Sequence, residues 1–127
     1  MRKNISSGAK WEDLVGYSRA VVIGNTMEIS GSVAVDDSNQ VIGLGDAYKQ
    51  TKFILKKITT ILSDNGFSLA DVIRTRMFVT DITKWEEVGR AHGEVFRTIK
   101  PATSMVEVKS LIGPEYIVEI EVTAIRS

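Results

Sequence analysis

The stretch from Asp46 to Gly66 constrains the fold more than any other. Ala47, Ile54, Leu55, Ile58, Ile61 and Leu62 recur at intervals of three and four residues, which sets them along one side of an α-helix. Asp46 stands where an N-cap oxygen is needed, and Asn65-Gly66 is a pair that stops a helix. Lys49, Lys52, Lys56 and Lys57 fall largely off the apolar stripe and read as a solvated face. A second stripe, Trp85, Val88, His92, Val95, Phe96 and Ile99, follows a capping-box spacing of Thr83 and Glu86 and is closed by Pro101. Helices with a single apolar side need a sheet or another helix to cover it.

The rest of the chain supplies the sheet. Tyr17 to Ile23 and Met27 to Val35 bracket Gly24-Asn25, a pair that tolerates the positive φ of a hairpin turn. Val72 to Val79 is a strand by its β-branched and aromatic content. Lys100 to Val108 and Ile117 to Ile125 alternate with period two, so each is expected to be a strand with two unlike faces. In the last strand Val118, Ile120, Val122 and Ala124 form the apolar row, opposite Glu119 and Glu121. Thr103, Met105 and Glu107 are expected to lie away from the core on their strand. Their side and that of Glu119 read either as a wet surface or as the lining of a pocket. Residues 1–16 read as a partly ordered arm with Trp11 and Leu14 as isolated apolar residues.

The order β-β-α-β-α-β-β describes an α+β fold with two helices on one face of one mixed sheet. Right-handed crossovers put both helices on the same side, which leaves the other face of the sheet for self-association.

Composition narrows the function. The chain has 127 residues, 43% of them hydrophobic and 25% charged, a balance that suits one domain with its own core. Sixteen basic and sixteen acidic residues cancel, so no electrostatic footprint for nucleic acid or an anionic membrane is expected. The absence of cysteine and the single His92 argue against a thiolate or His-rich metal site, and no metal is expected. No apolar run approaches the ~20 residues needed to span a bilayer, so a cytoplasmic location is expected. His92 lies on an apolar stripe and reads as a packed, hydrogen-bonded imidazole in preference to a general base.

Tyr17-Ser18-Arg19-Ala20, Gly24-Asn25 with Ile29-Ser30-Gly31, Thr75 to Asp81, Lys100 to Val108 and Val118 to Glu121 follow one another in a characteristic order. From Tyr17 to Ile125 the sequence resembles the reactive intermediate deaminase family (Rid or YjgF-type, also called endoribonuclease L-PSP). The resemblance implies a chorismate-mutase-like fold, with residues 1–127 as one domain, and a homotrimer with small-molecule clefts between neighbouring subunits. It also implies hydrolysis of 2-imino acids to 2-keto acids and ammonia without metal or cofactor.

Carried over by position, Tyr17 matches the family's pocket tyrosine, and Glu119 matches the carboxylate that positions or activates the attacking water. Ser30, Gly31, Thr103 and Met105 complete the expected cleft. Thr103 stands where active deaminases have an Arg that grips the substrate carboxylate, Met105 replaces a common Cys, and Gly89 an Asn. A neutral Thr cannot supply the paired charge-assisted hydrogen bonds of Arg. Arg76 is then the first candidate for a substitute cation and Arg19 the second, each weighed against a surface ion pair. The resulting expectation is an imine or enamine hydrolase with weak or absent 2-imino acid activity. A non-catalytic small-molecule sensor on the same scaffold is the alternative. An endoribonuclease lacks both a phosphate footprint and an acid-base pair here.

Overall fold

The computed structural model describes residues 1–127. Its sheet has six strands: β1 (Arg2–Ile5), β2 (Ala20–Ile23), β3 (Thr26–Ser32), β4 (Val72–Val79), β5 (Ala102–Glu107) and β6 (Val118–Ile125). They run in the order β1-β2-β3-β6-β4-β5, with β4 and β5 parallel and every other pair antiparallel. Three helices accompany them: α1 (Lys10–Val15), α2 (Ala47–Asp64) and α3 (Trp85–Phe96). The fold is α+β, as the pattern of apolar periods implies.

The long stripe forms α2 as expected. The Asp46 side chain accepts from the Lys49 backbone N–H at 2.9 Å, and Gly66 takes the left-handed conformation at φ 80° that turns the chain out of the helix. Ile54, Leu55, Ile58 and Leu62 are completely buried, each contributing about 1.5–3 kcal/mol by leaving water. They pack with Val88 and Phe96 of α3 and with Met77, Val79, Ile120 and Val122 of the sheet in a single core on one face. Gln50, also fully buried, donates to Glu115 O at 2.9 Å and accepts from Ile117 N at 3.0 Å. That pairing satisfies both ends of the amide and moors the loop leading into β6.

Three details depart from the sequence reading. The N-terminal segment is ordered: β1 pairs with β2 along four residues, and α1 buries Glu12 under hydrogen bonds from Ser6 and Ser7. A four-residue strand and a six-residue helix are too short to carry a period. The cap of the α3 region is Asp81, whose carboxylate accepts from both the backbone N–H and the hydroxyl of Thr83. A 3-10 turn, Ile82–Lys84, intervenes before the helix begins. Finally, α3 ends at Phe96, ahead of Pro101, and the chain turns through Lys100 at φ 55°.

Candidate functional site

The sheet has one face under α2 and α3 and one face that no helix covers. Register assigns the side chains. Met77 opposes Ile120, and Val79 opposes Val118, all buried in the core, so their neighbours Arg74, Arg76, Phe78, Glu119, Glu121 and Thr123 belong to the uncovered face. Across β3, Ile29 pairs with Val122, but the next matched pair is Ser32 with Ile120. Ser30 and Gly31 therefore oppose a single residue. The bulge bends β3 beside Glu119, a device that commonly re-aims groups next to a site.

Gly31 leaves the room that Glu119 occupies. A Cβ built there would lie 2.7 Å from Oε2 and 2.8 Å from Cδ of Glu119. The carboxyl is half-buried, and burial pushes its pKa up from the usual glutamate value; Glu121 adds to the rise and the Arg19 guanidinium opposes it. Arg19 donates from Nη2 to Gly31 O at 2.6 Å, and its guanidinium carbon lies 5.9 Å from the centre of the Tyr17 ring. The Ser30 hydroxyl donates to Ser18 O at 2.6 Å, fastening the bulge to the segment that carries Tyr17. Tyr17, Arg19, Ser30, Gly31 and Glu119 thus form one group at one end of the uncovered face.

Thr103 and Met105 do not join that group within the chain. Parallel pairing puts Thr103 beside Thr75 and Met105 beside Met77, on the helix side, and Met105 packs on the core. The expectation that both point away from the core is corrected. Alternation shows which residues of β5 share a side; the register with β4 decides which side that is. Thr103 is nonetheless exposed because β5 is the sheet edge. Its hydroxyl lies 2.8 Å from Thr75 Oγ1, which lies 2.9 Å from His92 Nε2. Burial lowers the His92 pKa, and the ring packs on Phe96 at 4.7 Å. The imidazole is packed and hydrogen-bonded, as its position on α3 implies.

The two candidate arginines differ in their partners. Arg76 shares the uncovered face with Glu119, but its guanidinium pairs with Glu121 at 3.6 Å. Arg19 is the cation beside Gly31 and Glu119. The signal for it was available: Arg19 precedes β2 by one residue, and Ala20 is buried in the core, so alternation turns Arg19 to the open face. Two cavities of the single chain, of about 180 and 700 Å³, lie on the helix side and touch neither Glu119 nor Thr103. No three His, Asp or Glu side chains converge as a metal ion requires, and no helix is long and apolar enough to cross a membrane.

Residues 8–126 match the family model described as endoribonuclease L-PSP. The chain belongs to this family, also known as YjgF or Rid. An uncharacterised Streptomyces coelicolor protein is 32% identical over 124 residues, 98% of this chain and 92% of that one. The 3-aminoacrylate deaminase RutC of Acinetobacter baylyi is 34% identical over 107 residues, 84% of each chain. A crystal structure of a Mycobacterium tuberculosis member of the YjgF/YER057c/UK114 family superposes with a TM-score of 0.89 at 44% identity, covering 99% of this chain and 100% of that one.

Proposed function

We propose that this one-domain protein is a cytoplasmic homotrimer that binds a small imine or enamine between subunits and hydrolyses it to a carbonyl compound and ammonia. The observation that carries this reading is Glu119, a half-buried carboxyl of raised pKa seated over the side-chain-free Gly31. Glu119 and Thr103 lie on opposite faces of their own sheet, so a cleft holding both takes one from each of two neighbouring subunits. The resemblance to a 3-aminoacrylate deaminase supports chemistry on an enamine or its imine tautomer.

The reaction asks little of the protein, because an iminium carbon is already electrophilic. Glu119 takes a proton from water as the water oxygen bonds to that carbon, giving a carbinolamine. The same carboxyl returns the proton to nitrogen. The C–N bond then breaks as the oxygen lone pair forms C=O, and the departing ammonia takes the remaining hydroxyl proton. Thr103 presents an uncharged hydroxyl, so a substrate carboxylate next to the reacting carbon meets no cation at that position, and 2-imino acids are turned over weakly.

A coupled assay, in which an amino-acid oxidase or a dehydratase generates the imine, tests this with wild type, Glu119→Gln and Thr103→Arg. Glu119→Gln is expected to lower the rate by roughly a hundredfold or more. Thr103→Arg is expected to gain activity on 2-imino acids. The wild-type rate is expected to rise with pH through a value above the 4.5 of an ordinary glutamate, since only the carboxylate can accept the proton. Undiminished turnover by Glu119→Gln would overturn the mechanism, and binding without turnover would assign the protein to sensing.

A further inference from the structure

We infer that Arg19 is the cation that receives an anionic group of the substrate, beside Gly31 and Glu119. This rests on the reading of the Glu119 face as the substrate site, and it names the charge that the site selects. The evidence is the state of the guanidinium itself. Arginine carries several N–H donors in a planar fork, yet the Arg19 guanidinium makes one hydrogen bond, to Gly31 O. Its Nε is buried with no partner. It takes part in none of the chain's ion pairs, which join Lys52 to Glu94, Arg76 to Glu121 and Lys84 to Glu87.

The two neighbouring carboxyls do not serve it. Glu12 is buried, and its oxygens are occupied by Ser6 and Ser7. Glu119 packs against the Cα of Gly31 and makes no ion pair with Arg19, although the guanidinium is near enough to oppose the rise in its pKa. Lys57 lies nearby, with its ammonium fixed on Val33 O and Val35 O at 3.0 and 2.9 Å; burial and then Arg19 depress its pKa, against Asp37 and Asp36. A partly buried cation with no direct ion pair has donors left over, and a bound carboxylate fills them with charge-assisted bonds. Gly31 serves both groups: its carbonyl fixes the cation, and its bare Cα admits the base. A substrate lying across it puts its anion on Arg19 and its C=N group at Glu119, away from the neutral Thr103.

The test compares 4-oxopentanoate with its uncharged amide as ligands of wild type, Arg19→Gln and Arg19→Lys by calorimetry. Wild type is expected to prefer the acid. Arg19→Gln is expected to weaken the acid roughly tenfold to a hundredfold while leaving the amide unchanged, and Arg19→Lys to fall between, because an ammonium lacks the fork. Should Arg19→Gln fail to fold, the Arg19 Nε–H resonance of wild type, assigned with Arg19→Lys, gives the same answer: the acid moves it and the amide does not. Equal weakening of both ligands, an unmoved resonance, or no binding of the acid at millimolar concentration would overturn the inference. The two readings separate. Acid selectivity through Arg19 without imine turnover retires the hydrolase reading alone, and turnover that depends on Glu119 but not on Arg19 retires this one alone.

Discussion

Gly31 has no left-handed backbone to explain its identity, so space is the reason a side chain is absent there. A methyl group would meet the end of Glu119, and that end is flexible enough to swing aside. Gly31→Ala is therefore expected to cost little stability, within about 1 kcal/mol, while displacing the base and lowering turnover roughly a hundredfold. Thermal melts beside the coupled assay would check the split; a large stability loss with unchanged turnover would contradict it. At this scale the sequence was informative about identity and poor about direction. Glu119, Ser30 and Gly31 were singled out by position in the family resemblance, but the bulge beside them is a count of residues between two strands and is invisible in either one. Arg76 stood first as a cation on the condition that its face of the strand turned toward the cleft. Its partner Glu121 comes from a different strand, and with side chains about two-fifths exposed that pair contributes roughly 0–1 kcal/mol.

The elements follow the same division. α2 was legible to within its caps because six apolar residues repeat across it, whereas β1 and α1 were missed for want of length. β5 was legible as a strand, yet its two rows are both mixed, so only pairing with β4 could assign the row of Thr103 and Met105 to the helix side. That assignment couples α3 to the edge of the sheet through His92, Thr75 and Thr103. Burial disfavours the charged imidazole, so the unfolded chain binds the His92 proton more readily than the folded one. The associated stability is present above the ordinary value of 6.5 and is lost as pH falls through that value towards the lowered one. Between about pH 8 and about pH 5, wild type is expected to lose more thermal stability than His92→Gln, the remaining titrating groups being common to both. Parallel losses in the two proteins would show that His92 carries none of it.

On the scale of the whole molecule, the decisive feature is the bare face of the sheet. Val106 and Ile125, 46% and 45% exposed, lie there among Phe78, Arg74, Arg76 and Glu121, with no helix above them. An apolar and charged mixture of this kind suits a second copy of the chain better than water. Light scattering is expected to return a mass about three times the 14.0 kDa of the chain; a monomer would remove the shared cleft. Because Glu119 and Thr103 occupy opposite sides of one subunit, the proposed site behaves genetically as the joint property of two copies. A cell producing both Glu119→Gln and a Thr103→Trp chain, each inactive by itself, would assemble mixed rings in which about a quarter of the clefts inherit the sound half of each parent. Two defective alleles would then complement one another, whereas two alleles damaged in the same half would not.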